Sequence, residues 1–215
     1  MIKKNLPILL LTSVVTLLPM VIGLLLWNSL PEQIPLHWNA EGAVDGYGSK
    51  AMAVFGLPVF VLAMQWLCML MTSLDPKHKN IDAKPLTLVL WICPILCAFI
   101  SCLMYAAALG YAVSVEILMP LFLGALFVVI GNYLPKCRQS YTLGIKLPWT
   151  LDDPENWYNT HRLAGIVWVI GGVVIMATAF LGKFWIMMSK LAVMVLAPTV
   201  YSYSLYRRKK HKAED

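Results

Sequence analysis

The chain has 215 residues, of which 60% are hydrophobic and only 13% are charged, against ~25% charged in an ordinary soluble domain. With a mean hydropathy of +0.71, it is not a disordered chain, a collagen-like chain or a small disulfide scaffold. Too little polar surface is left to cover a water-soluble core, so the class that remains is an integral membrane protein.

A helical crossing needs ~20 apolar residues. Six stretches meet that length: 6–27, 51–74, 86–110, 115–134, 163–182 and 186–206. They predict an all-α integral membrane protein built as a single six-helix membrane domain. The MIKK start followed by an apolar run has the look of a signal peptide. The run is too long for one and no small-residue cleavage site follows, so the first stretch is expected to stay as an anchor.

Orientation follows from lysine and arginine. With the N-terminus in the cytoplasm, the inner segments hold Lys3, Lys4, Lys77, Lys79, Lys84, Lys136, Arg138, Lys146, Arg162, Arg207, Arg208, Lys209, Lys210 and Lys212, fourteen in all. The outer segments hold Lys50, Lys183 and Lys190, three in all. Both termini are therefore predicted to be cytoplasmic. The same distribution accounts for the net charge of +6 without nucleic acid as a partner. The tail RRKKHK is expected to lie on anionic lipid headgroups. Trp27, Tyr111 and Trp185 at the outer ends, and Tyr133, Tyr201, Tyr203 and Tyr206 at the inner ends, match the depths that amphipathic rings prefer.

Within the spans, Pro19, Pro58, Pro94, Pro120 and Pro198 each remove a helix hydrogen bond. Ala98, Cys102, Ala106 and Gly110 form a small-residue stripe suited to packing within the bundle. Cys68, Cys93, Cys97 and Cys102 read as buried small hydrophobes, and Cys137 as a reduced thiol. Charged groups at mid-membrane would mark a transporter. Only Glu116 and Lys190, both near span ends, and the neutral Gln65 are available. The histidines His37, His78, His161 and His211 divide between the two sides, and no HExxH, GxSxG or P-loop is present. No catalytic set, metal or cofactor is expected, although His37 with Asp45 and Glu41 keeps an enzyme reading open.

Two loops are too structured to be mere connectors. The outer one, LPEQIPLHWNAEGAVDGYGSK at 30–50, begins with the stiffening Pro31 and Pro35. It then alternates Ile34, Leu36 and Trp38, a short strand signal. Asn39, Gly42, Asp45-Gly46 and Gly48 read as turn residues. An ordered cap with a small hairpin is predicted, with Trp38 and Tyr47 exposed. The inner loop spans 135–162 within GNYLPKCRQSYTLGIKLPWTLDDPENWYNTHRLAG at 131–165. Thr150 with Asp153 matches a capping-box variant, and Pro154 suits a first turn. A helix is predicted to start near 151 and continue into the fifth span. Trp157, His161, Gly165, Trp168 and Gly172 share one face of it, so His161 is expected to point into the bundle, more as a satisfied structural histidine than as a proton carrier.

At these loops the sequence resembles a known family. The 30–50 segment is similar to an outer-loop domain of unknown function found in many bacterial six-span proteins. GNYLPK followed by LGIKLPWTLDDPENWYNTHRLAG looks like the signature of the SdpI/YfhL family. Leu147 departs from it, since the family more often has threonine before Pro-Trp-Thr-Leu. The resemblance implies a multi-pass protein of the bacterial plasma membrane that gives immunity to a membrane-active killing peptide, and that in some members holds a transcriptional repressor at the membrane. His37, Trp38, Asn39, Asp45 and Tyr47 are then candidates for contact with a toxic peptide outside. Lys146, Trp149, Thr150, Trp157 and His161 are candidates for contact with a repressor inside. A lid that only seals the bundle remains the alternative for the outer loop, and simple residence at the membrane interface for the inner one. A small transporter or channel remains open beside the immunity reading.

Overall fold

The structure, a computed structural model, describes residues 1–214. Among them six helices are long and apolar enough to cross a membrane. They are α1 (Ile2–Leu25), α2 (Leu57–Ser73, entered through a π-helical turn at Met52–Gly56), α3 (Ala83–Ala108), α4 (Val115–Tyr133), α6 (Pro154–Ala177) and α7 (Phe184–Glu214). A short α5 (Pro148–Asp152) precedes α6, and a hairpin of β1 (Gln33–Trp38) and β2 (Val44–Ser49) lies between α1 and α2. The helices group into two compact units. One is Met1–Ser73 with Leu86–Val115, and the other is Leu74–Pro85 with the chain from Glu116 onward.

The six predicted stretches all became helices, but the fifth ends earlier than its apolar stretch. It was predicted at 163–182 and runs over Pro154–Ala177, because Thr178 ends it and a 3-10 turn follows at Ala179–Leu181. The polar PENWYNT opening is helical as well, in line with the helix predicted to run from near 151 into the fifth span.

In the first unit, α1 and α2 are joined by a buried polar seam. Gln65 Nε2 donates to Thr12 Oγ1 at 2.6 Å, and Thr16 Oγ1 donates to Gln65 Oε1 at 2.9 Å. Trp66 Nε1 donates to Ser13 Oγ at 3.0 Å. A side-chain amide in hydrocarbon needs such partners, because no water is there to supply them. Gln65 is thus a structural residue of the seam. From α3, the Tyr105 hydroxyl donates to the Pro19 carbonyl at 3.1 Å. Gly23 admits this approach, since a Cβ there would fall 2.6 Å from the Tyr105 oxygen.

Two expectations for this unit are corrected. The stripe does not pack: Ala98, Cys102 and Gly110 are exposed, and the neighbouring face with Cys97, Ser101, Met104 and Tyr105 is buried instead. Of the four cysteines expected inside, only Cys97 is buried, whereas Cys68 and Cys102 are exposed and Cys93 is intermediate. An exposed thiol costs little on a helix surface that faces lipid, so burial cannot be read from an apolar run alone.

In the second unit, α4 and α6 touch through paired glycines. A Cβ at Gly165 would lie 2.8 Å from the Gly131 carbonyl oxygen, and one at Gly124 would lie 2.7 Å from that of Gly172. Small residues let membrane helices approach backbone to backbone. Phe127 and Trp168 flank this contact edge to face, with centroids 5.1 Å apart. The predicted face of α6 is the packed one: Trp157, His161, Gly165 and Gly172 are buried.

Candidate functional site

The two loops differ in construction. In the first, Ile34 is fully buried in a cluster with Leu30, Val54, Met104 and Tyr105, and Leu36 and Trp38 pack against it. This anchors one face of the hairpin. Trp38, expected to be exposed, is therefore half-buried. The base of the hairpin is tied by Lys50, whose ammonium donates to Glu32 Oε1 at 2.9 Å and to the Trp27 carbonyl at 3.2 Å. It also lies over the Trp27 ring.

The turn is Asn39–Ala43. Asn39 Oδ1 accepts from the Glu41 and Ala43 amides at 3.0 and 2.9 Å, and Gly42 takes φ 80°. Asn and Gly are the residues that such a turn favours. Asp45-Gly46, expected as a turn, is strand instead. Gly46 lies across from His37, and a Cβ there would sit 2.9 Å from the His37 Cβ. The face away from the core displays His37, Asp45 and Tyr47, all exposed. His37 Nδ1 and Asp45 Oδ1 are 2.5 Å apart. Tyr47 is 63% exposed with its ring in the open. No group of three or more metal-binding side chains occurs among the described residues.

The second loop is closed by side chains that all have partners. His161 donates from Nδ1 to the Trp157 carbonyl (2.8 Å) and accepts at Nε2 from the Ile145 amide (2.8 Å). An acceptor at Nε2 requires the neutral ring with its proton on Nδ1. The ring stacks on Trp157 at 4.0 Å, and Trp157 Nε1 donates to the Cys137 carbonyl at 2.8 Å. Gly144, at φ 110°, covers the pair. A Cβ there would meet His161 Nε2 at 2.5 Å and the Trp157 ring at 2.7 Å. His161 is thus a connector in the loop's hydrogen-bond network.

The helix start near 151 is corrected. Thr150 lies in the short α5, fully buried, where its hydroxyl accepts from the Leu147 amide at 2.9 Å and lies 3.0 Å from the Ile145 carbonyl. The chain then breaks at Asp153, whose carboxylate accepts from the Glu155 amide at 2.9 Å and caps α6. Thr150 closes a turn, and Asp153 is the N-cap. Lys209 of α7 bridges Asp153 at 2.8 Å and Glu155 at 2.6 Å. Partial burial opposes ionisation of Asp153, but the Lys209 contact and the Asn156 and Glu155 amides outweigh it and hold its carboxyl below the ordinary value. Burial, with the Asp82 charge adding, pushes the Cys137 thiol up to about 11, so this thiol stays protonated and unreactive.

Of Lys146, Trp149 and Trp157, only Lys146 is exposed. Trp149 donates to Ser202 Oγ at 2.7 Å, stacks on Tyr206 and meets Tyr203 edge to face, and Trp157 is buried. Sequence reasoning passed over Asp75. It is buried, and its carboxylate accepts from the Lys77, Tyr141 and Thr142 amides and the Thr142 hydroxyl at 2.7–3.0 Å. Gln139 extends the network, donating to the Thr150 and Leu151 carbonyls and accepting from Lys77 Nζ. The only signal for Asp75 in the sequence is an aspartate before Pro76, a common turn opening.

Six apolar helices, a small extracore hairpin and a closed second loop define a multi-pass protein of the bacterial plasma membrane. Residues 136–202 match the model of the SdpI/YfhL protein family, and residues 14–62 match a domain of unknown function, DUF1648; these are the family and the kind of domain that the loop signatures resemble. It is 26% identical to the immunity protein SdpI of Bacillus subtilis over 216 aligned residues, covering 96% of this chain and 97% of that protein. No solved structure matches it.

Proposed function

We propose that the chain protects its own cell against a membrane-active killing peptide, with the exposed face of the β1–β2 hairpin as the surface that meets the peptide. The observation that carries the reading is the similarity to an immunity protein over nearly the whole of both chains. That relative is named for immunity and not for a reaction, which favours a binding role over an enzymatic one. The hairpin supports this placement, since it displays Glu41, Asp45 and Tyr47 on a rigidly anchored frame. Its one lysine, Lys50, is held internally by Glu32. An acidic, aromatic surface suits a cationic, amphipathic peptide.

The lysine and arginine asymmetry supports a reading with the hairpin outside and both termini in the cytoplasm. In a background free of the native cysteines, Ala43→Cys should react with an impermeant thiol reagent in intact cells. Reaction only after permeabilisation would reverse the orientation. For the function itself, a sensitive bacterial host expressing the chain is challenged with a panel of purified killing peptides. Survival should rise against at least one of them and fall back with Asp45→Ala plus Tyr47→Ala at equal membrane abundance. Unchanged killing across the panel would reject the immunity reading.

A further inference from the structure

A groove of about 360 Å³ lies between α6 and α7, lined by Val167, Ile170, Val174, Lys190, Val193 and Met194. Ligand clefts occupy ~300–1,000 Å³. Its walls are open to the helix surface, since Ile170, Val174 and Val193 are all well exposed. Its depth depends on Gly171, because a Cβ there would lie 2.6 Å from Met194 Cγ. In a bilayer such a groove is filled by hydrocarbon, because leaving it empty forfeits dispersion contacts on every wall.

Lys190 makes the groove selective. It is the seventh residue of α7, so its Cα lies roughly 9 Å along the axis from the helix start at ~1.5 Å per residue. An ammonium at that depth is costly unless it reaches the headgroup region or an anion. It donates to the Thr178 hydroxyl. That hydroxyl lies 2.7 Å from the Val174 carbonyl, to which it donates its own proton. The ammonium thus has a neutral partner there, and no carboxylate pairs with it among the described residues. Glu116 of α4 sits instead beside Gly182, before α7 begins. Lys183, exposed and two turns nearer the surface, adds a second cation above the same end.

The geometry points to a binding site for an anionic phospholipid, with one acyl chain in the α6–α7 groove and the headgroup phosphate on Lys190. This site is independent of the immunity reading. The test reconstitutes the full chain in nanodiscs carrying a trace of diazirine-acyl phosphatidylglycerol or of the phosphatidylcholine with the same chains, then maps the photoproducts by mass spectrometry. The phosphatidylglycerol probe should label 167–174 and 189–194 at least fivefold more than the phosphatidylcholine probe. Lys190→Gln should bring the two probes level, and Lys190→Arg should keep the preference. Val193→Trp, which fills the groove, should remove labelling by both probes. Arg207→Gln with Arg208→Gln should leave the preference intact, separating this site from the basic tail. Equal labelling by the two probes in the wild type, a preference that survives Lys190→Gln, or labelling that survives Val193→Trp would each overturn the assignment.

Discussion

The β1–β2 hairpin and the 134–153 loop are both short segments between helices, yet they meet the demands of folding in opposite ways. The hairpin is anchored by one apolar face, Ile34 with Leu36 and Trp38, and by Lys50 at its base. Its other face, with His37, Asp45 and Tyr47, holds up nothing beneath it. The second loop turns Gln139, Ser140 and Thr150 inward, where they have protein partners together with Asp75 from the α2–α3 connection and His161 from α6, while Lys136, Arg138 and Lys146 stay exposed. A segment of the first kind can vary its surface without losing its fold. A segment of the second kind cannot. The hairpin is therefore where a recognition surface can diversify, and the second loop is where substitution should cost stability.

The largest effect expected in the second loop comes from Trp157→Ala. It removes a buried ring that stacks on His161 and donates to the Cys137 carbonyl, a truncation of a kind that costs about 3–5 kcal/mol. Thermal unfolding of the detergent-purified variant should begin far below that of the wild type. An unchanged melting temperature would mean that the loop is not stabilised from within. Asp75→Ala comes next. It strands the Tyr141 and Thr142 amides, and buried donors left without partners cost about 1–3 kcal/mol. Asp75→Asn keeps an acceptor oxygen and should fall between alanine and wild type on the same melting measurement.

Thr150 and Asp153 separate turn closure from capping. Thr150→Ala leaves the Leu147 amide unpaired and should lower the melting temperature, whereas Thr150→Ser keeps the hydroxyl and should change it little. Asp153→Ala removes the cap of α6, worth ~1 kcal/mol, and Asp153→Asn should retain it. Charge distinguishes these two. The carboxyl of Asp153 is held below its ordinary value in the folded chain, so its ionic contribution is present above about pH 4 and is lost as pH falls through the lower folded value. The wild-type melting temperature should therefore fall more steeply below pH 4 than that of Asp153→Asn. Parallel curves would mean that the Lys209 contact adds nothing.

What the sequence made legible follows the range of the interactions. The helices were legible because an apolar run longer than a bilayer is a local property. The hairpin was legible because Ile34, Leu36 and Trp38 alternate, and the buried face of α6 because its glycines and Trp157 recur at helical spacing. The cap was misplaced because Thr150 and Asp153 are both good caps by type. The choice depends on the break at Asp153 and on the Ile145 carbonyl, to which the Thr150 hydroxyl reaches back and donates. Trp38 was misjudged for a similar reason: its burial is set by residues of the cluster around Val54 and Tyr105. Asp75 was out of reach, because its Tyr141 and Thr142 partners lie more than sixty residues away.

The smallest change in stability is expected on the hairpin, and it bears most directly on function. Asp45 and Tyr47 are exposed, and the Asp45 carboxylate pairs with the still more exposed His37. Exposed pairs of this kind contribute ~0–1 kcal/mol, and surface substitutions generally stay within about 0.5 kcal/mol. Asp45→Ala and Tyr47→Ala should therefore melt with the wild type while lowering survival in the killing assay. Trp38→Ala serves as the contrast: its ring packs against the buried cluster, so survival and melting temperature should fall together. If Tyr47→Ala protects as well as the wild type, the exposed face is not the recognition surface, and the hairpin is a lid. If Tyr47→Ala instead loses stability as Trp38→Ala does, the two faces of the hairpin are not independent, and the contrast with the second loop fails at its first premise.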